Sequence, residues 1–131
     1  MKQRSAVVID DEPDVTTYLS TLLSDHGWRV RTANKVDQGL ELLAAERPDA
    51  VLLDLMMPER GGLTALVAIR KDPTLAGLPV VIVSGIQEKL TSDYHAFLDR
   101  AKHYKADAYL DKPVVPEVLL RTLDDLVTAT V

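Results

Sequence analysis

At 131 residues the chain has the size of one domain, long enough to remove roughly two thirds of its unfolded surface from water. Hydrophobic residues make up 47% and charged residues 27%, which excludes the disordered and fibrous classes, and a formal net charge of -5 argues against a nucleic-acid or anionic-membrane surface covering the whole domain. With no cysteine there is neither a disulfide framework nor a thiolate metal site, and no apolar run reaches membrane-spanning length.

The N-terminal stretch MKQRSAVVIDDE meets acid too early for a signal-peptide core, so a cytoplasmic protein is expected. SAVVID (5–10) reads as a first strand. A helix follows, with Val15, Tyr18, Leu19, Leu22 and Leu23 at helical spacing, Pro13 in its first turn and Gly27 just past its end. WRVRTA (28–33) is a second strand, and a helix from about Lys35 to Glu46 carries Val36, Leu40 and Leu43 on one face. AVLLD (50–54) is a third strand, followed by the loop MMPERGG and a short helix around Leu63 to Lys71. PVVIVS (79–84) is a fourth. Leu90, Tyr94, Phe97, Leu98 and Ala101 then mark one face of a long helix ending near Tyr104. DAYLD (107–111) and a last helix carrying Leu119, Leu120, Leu123, Leu126 and Val127 complete the set.

Five alternations of strand and helix predict an α/β fold: a doubly wound, flavodoxin-like (βα)5 sandwich on a parallel sheet. Strands one, three and four are apolar throughout, as strands covered on both faces are. WRVRTA alternates charged with apolar residues and DAYLD is short and polar-ended, which suits edges. The order 2-1-3-4-5 satisfies this, with its switch point between strands 1 and 3. No repeat or linker divides the chain, so residues 1–131 are expected to be one domain with a core over about 5–127.

In such a sheet ligands collect beyond the carboxyl ends of the strands. Asp10 and Asp11 close strand 1, Asp54 closes strand 3, Ser84 closes strand 4 and Lys112 follows strand 5. Three carboxylates at close range repel unless something cationic joins them. Lys112 supplies one positive charge, and a hard divalent ion, Mg²⁺ best, supplies the rest. The alternative is a carboxylate that keeps its proton at neutral pH. Taken singly, Asp-Asp-Glu before Pro reads as helix N-terminal charge, Asp54 and Ser84 as turn residues and Lys112 as a surface lysine. Their coincidence on one rim is what points to a site.

IDDEPD, LLDLMMPERGG, VVIVSG and ADAYLDKP, in this order over Ser5 to about Val127, resemble the response-regulator receiver family of two-component signalling. The resemblance implies that Asp54 accepts a phosphoryl group from a phosphohistidine on a histidine kinase or histidine phosphotransfer protein. It implies Mg²⁺, with Mn²⁺ as a substitute, held by Asp11, Asp54 and the Met56 main-chain carbonyl, while Asp10 orients metal-bound water. Lys112 compensates charge, Ser84 hydrogen-bonds the new phosphoryl group, Tyr109 turns in behind it, and Lys112-Pro113 takes the place of the family's cis peptide. The implied output is a conformational change on the face of helix 4 (about Glu88 to Lys105), strand 5 and helix 5. That face would meet a downstream protein target or a second copy in a phosphorylation-dependent homodimer, with no direct nucleic-acid or membrane contact.

This sequence also departs from the family's pattern. The segment between Ser84 and Lys112 is long, with the extra length expected in the helix 4 region, about 86–105. Lys105 stands where glycine often does, and Gly85 where alanine is usual, which should loosen the loop and open the site to small donors or water. Met56 and Ile86 are apolar at two positions that influence phosphoryl loss, so a long-lived phosphorylated form is expected unless Gly85 admits water. The resemblance implies no enzyme beyond catalysis of the chain's own phosphorylation and dephosphorylation. A stand-alone regulator, a phosphorelay intermediate and a receiver cut from a longer protein all fit. Two other functions compete with this one. A Mg-dependent phosphatase of the haloacid-dehalogenase type would have a second Asp where Glu12 stands, and a scaffold that is never phosphorylated would lack Asp54, Lys112 or an acidic-pocket Asp; none of these is missing.

Overall fold

A strand that is apolar at every position needs cover on both faces, and the computed structural model, which describes residues 3–55, 57, 61–85 and 94–129, supplies it. The described elements are β1 (Ser5–Ile9), α1 (Pro13–Asp25), β2 (Arg29–Ala33), α2 (Val36–Ala45), β3 (Ala50–Asp54), α3 (Gly62–Lys71), β4 (Val80–Ser84), α4 (Tyr94–His103), β5 (Ala108–Asp111) and α5 (Pro116–Ala129). All strand pairs are parallel, in the order β2-β1-β3-β4-β5. The expected sheet order is therefore the observed one, with the two mixed-polarity strands at its edges.

Because side chains alternate along a strand, each central strand feeds two cores. Val7, Ile9, Val51, Leu53, Val80 and Ile82 pack with Val36 and Leu43 of α2, Leu66 and Ile69 of α3 and Ala101 of α4. On the other face Ala6, Val8, Leu52, Val81 and Val83 pack with Leu19 and Leu23 of α1 and Leu119, Leu123 and Val127 of α5. Burying one such leucine or isoleucine stabilises the fold by about 1.5–3 kcal/mol, so this double layer is the main support of the rim above it.

Two helix ends share one device. At the end of α1, Gly27 N–H donates to the Ser24 carbonyl and Trp28 N–H to the Leu23 carbonyl, with Gly27 at φ +89°. This left-handed closure uses the amide of Trp28, so β2 starts one residue later than expected. At the end of α4, Lys105 N–H donates to the Lys102 carbonyl and Ala106 N–H to the Ala101 carbonyl, with Lys105 at φ 60°. Here a lysine occupies the position that glycine fills at least cost.

Arg70, at the end of α3, ties this second closure to the sheet. Its guanidinium donates to the carbonyls of Tyr104, Lys105, Ala76 and Leu78 and pairs with Asp107 at 3.0 Å. Asp107 also accepts the Val80 N–H at 2.7 Å, joining the starts of β4 and β5. Of the segment 86–105, where extra length is expected, residues 86–93 lie outside the described residues.

Candidate functional site at the carboxyl rim of the sheet

The register of β1 against β3 pairs Ile9 with Leu53, so the next residues, Asp10 and Asp54, emerge side by side at the carboxyl rim. Asp10 lies one residue beyond the end of β1, and its N–H still bonds the Ala33 carbonyl. Its side chain accepts the Glu12 N–H at 2.9 Å, turning the chain into α1, and the Asn34 amide donates to its main-chain carbonyl at 2.9 Å. The acidic turn is thus pinned from both strands of the β1–β2 edge.

Asp54 is held from below by a close approach of α3. A Cβ on Gly62 would stand 1.8 Å from the Asp54 carbonyl oxygen, so only glycine lets the helix begin this near the end of β3. Gly39 lets α2 lie close over the side chain of Ile9.

The carboxylates of Asp10, Asp11, Glu12 and Asp54 each offer an oxygen, all within 4.8 Å of one another. Asp10 and Asp54 are buried, Asp11 is partly buried and Glu12 is exposed. Lys112 enters this group from β5, its main-chain N–H donating to the Ser84 carbonyl at 2.9 Å as an extension of the ladder. Its Nζ lies 2.8 Å from Asp10, 3.3 Å from Glu12 and 3.5 Å from Asp54. Burial alone would discharge the lysine, but its hydrogen bond to Asp10 and the charges of Asp54, Asp10 and Glu12 prevail and hold its pKa above the ordinary value. Burial pushes Asp10 up, against the opposing pull of Lys112 and the Glu12 N–H. The direction is that of the proton-retaining alternative, while the 2.8 Å contact with Lys112 favours the ionised pair.

Four hard oxygen donors against one ammonium leave negative charge in excess, and their spacing lets several reach a single small cation. The residues present fit a divalent ion. Ser84 is buried at the end of β4 beside this group. At Gly85 an added Cβ would meet, among the described residues, only the Lys112 Cδ, at 3.8 Å. The Lys112–Pro113 bond is cis. Tyr109 points outward from β5, 39% exposed. Burial, with the charges of Asp107 and Tyr94, raises its pKa. It lines an open cavity of about 300 Å³ with Leu110, Asp111, Pro113, Val115 and Val118. Met56 and Ile86 lie outside the described residues.

Two residues of this site escaped the sequence reading. From the sequence Glu12 reads only as helix-end charge, yet its side chain makes no capping bond and reaches Lys112 instead. Asn34, which holds the Asp10 carbonyl, follows an edge strand with no motif around it. Nothing in the sequence marks either role, because each depends on where a side chain points once distant segments meet.

Comparison with known proteins agrees with this geometry. Residues 6–124 match the family described as the Response regulator receiver domain. Protein PilH of Pseudomonas aeruginosa is 34% identical over 118 residues, covering 90% of this chain and 93% of PilH. Response regulator MprA of Mycolicibacterium vanbaalenii is 36% identical over 124 residues, covering 95% of this chain but 50% of MprA, so the chain spans about half the length of that relative. Among solved structures, the Vibrio cholerae chemotaxis protein CheY4 superposes with a TM-score of 0.82 at 26% identity, covering 95% of this chain and 99% of CheY4. A receiver domain protein of Clostridium thermocellum gives 0.82 at 26% identity, covering 97% and 96%. The fold, the family match over most of the chain and the relative of nearly equal length together identify the chain as a member of the response regulator receiver domain family.

Proposed function

We propose that Asp54 is the phosphoacceptor, taking a phosphoryl group from a phosphohistidine of a histidine kinase or histidine phosphotransfer protein. The observation that carries this reading is the ammonium of Lys112 lodged between the buried carboxylates of Asp10 and Asp54. In the transfer, an Asp54 carboxylate oxygen forms a bond to phosphorus as the P–N bond of the donor breaks, and the imidazole nitrogen keeps the electron pair. Such a step needs positioning and charge compensation more than covalent help. Lys112 neutralises one phosphoryl oxygen, and Ser84 donates its hydroxyl to another. Asp10, Asp11 and Asp54, with the Met56 carbonyl, would hold Mg²⁺, or Mn²⁺ in its place, which when bound compensates charge on the transferring group.

The signal follows from the new charge. A phosphoryl group adds strong acceptor oxygens and shifts a pre-existing equilibrium by its differential contacts. Drawing Ser84 inward vacates space that Tyr109 can fill, changing the surface of α4, β5 and α5 seen by a target protein. That the chain acts only on its own phosphorylation, and does so in the cytoplasm, belongs to the same reading; among the described residues no helix is long and apolar enough to cross a membrane. A phosphatase of small esters is not favoured, since the position two beyond Asp10 is Glu12, engaged with Lys112.

Incubation with acetyl phosphate and Mg²⁺, read by intact mass, tests the proposal. The wild type is expected to gain one phosphoryl mass that is absent with chelator and in Asp54→Asn. Equal gain in wild type and Asp54→Asn contradicts it.

A further inference from the structure

We propose that Glu12 is a specificity-determining residue: it holds Lys112 in the unphosphorylated site and sets the charge that an incoming phosphodonor meets. The inference rests on Asp54 being the acceptor. Lys112 pairs with the carboxylates of Asp10, Glu12 and Asp54, and these three are not equivalent. The side chains of Asp10 and Asp54 are 2% and 1% exposed, whereas that of Glu12 is 58% exposed. Asp10 is fixed by the Glu12 N–H and, through its carbonyl, by Asn34. The main chain of Glu12 is equally fixed, since its carbonyl accepts the N–H groups of Val15 and Thr16 at the start of α1. Its side chain caps nothing, and Lys112 is the contact it makes in the site.

An exposed ion pair of this kind is weak and readily exchanged. A phosphoryl group on Asp54 requires Lys112, and Glu12 is the partner that can be released, because its carboxylate returns to water while those of Asp10 and Asp54 cannot. Until that exchange, the Glu12 charge stands at the mouth of the site and opposes an anionic donor. The opposition grows with the donor's charge and falls with salt. Donors that arrive on a protein surface with compensating cations are thereby favoured over free phosphate esters and anhydrides.

The test compares wild type, Glu12→Gln and Glu12→Asp with acetyl phosphate at saturating Mg²⁺, following phosphorylation by intact mass. Glu12→Gln is expected to react about three- to tenfold faster at low ionic strength, with the gain falling below about twofold near 0.5 M salt. Glu12→Asp, which keeps the charge, is expected to stay closer to wild type. Mg²⁺ affinity measured by calorimetry is expected to change less than about fivefold in Glu12→Gln, since Glu12 is the exposed member of the four carboxylates and its side chain is engaged with Lys112. A Glu12→Gln rate equal to or below wild type, a gain insensitive to salt, or a larger loss of Mg²⁺ affinity overturns the role of Glu12 while leaving Asp54 as acceptor. No phosphorylation of the wild type under any condition removes the acceptor reading, and this inference with it.

Discussion

Replacing Gly62 by alanine tests whether the site depends on how closely α3 approaches β3. The added Cβ would lie 1.8 Å from the Asp54 carbonyl oxygen, 2.8 Å from its carbonyl carbon and 3.2 Å from the Leu55 Cα, all main-chain atoms. Opening the first contact to the 3.0 Å that real Cβ atoms respect needs a shift of about 1.2 Å between two packed backbones. Overpacking of this severity costs about 3 kcal/mol, which for a domain of this length lowers the melting temperature by about 10 °C. The shift also moves Asp54, and a misplacement of about 1 Å slows a positioned reaction about a hundredfold. Gly77→Ala is the control, because a Cβ there meets none of the described residues within 4 Å and the backbone is not left-handed. It should stay within about 1 kcal/mol of wild type, on the stabilising side. Thermal unfolding followed by circular dichroism, with acetyl phosphate labelling of the folded protein, reads both effects. A Gly62→Ala variant that melts with Gly77→Ala and labels at the wild-type rate refutes the reasoning.

Lys105→Gly is expected to raise stability by about 0.5–1 kcal/mol by relieving the left-handed residue that closes α4, as measured by urea unfolding; an unchanged or lower midpoint contradicts this. Arg70→Met should cost about 2–4 kcal/mol, because it strips partners from four carbonyls and Asp107, and should speed amide exchange over Tyr104–Asp107 more than in α1. For pH, the folded pKa of Lys112 lies above its ordinary 10.5. Its ion pairing therefore stabilises the fold fully below that value and is lost as pH rises through the folded value. The wild type should lose more stability than Lys112→Met between neutral pH and the alkaline limit; parallel declines contradict the pairing.

The sheet was legible because burial on two faces leaves a plain mark: three strands without polar interruption can only be central, and RVRTA and AYLD can only be edges. The rim was legible for a related reason, since residues ending parallel strands share one side of the sheet whatever their helices do. What lay beyond reach depended on distances between segments far apart in sequence. Gly62 and Gly39 look like ordinary loop and helix glycines until the Asp54 main chain beneath the first and the Ile9 side chain beneath the second are seen. Arg70 looks like a solvated helix-end charge, yet it reaches 34 residues on to the Tyr104 carbonyl. Glu12 could not be separated from its two acidic neighbours by composition, because only the direction of its side chain assigns it to Lys112. The expected position of Trp28 at the head of β2 failed on a helix closure that consumes its amide.

Which of the four clustered carboxylates receives the phosphoryl group is decided by locating it. Borohydride reduction of the phosphorylated chain converts an aspartyl phosphate to homoserine, and peptide mapping by mass spectrometry then finds the altered residue. Homoserine is expected at position 54 alone, and only after treatment with donor and Mg²⁺. Reduction products at Asp10, Asp11 or Glu12, with residue 54 intact, would contradict it.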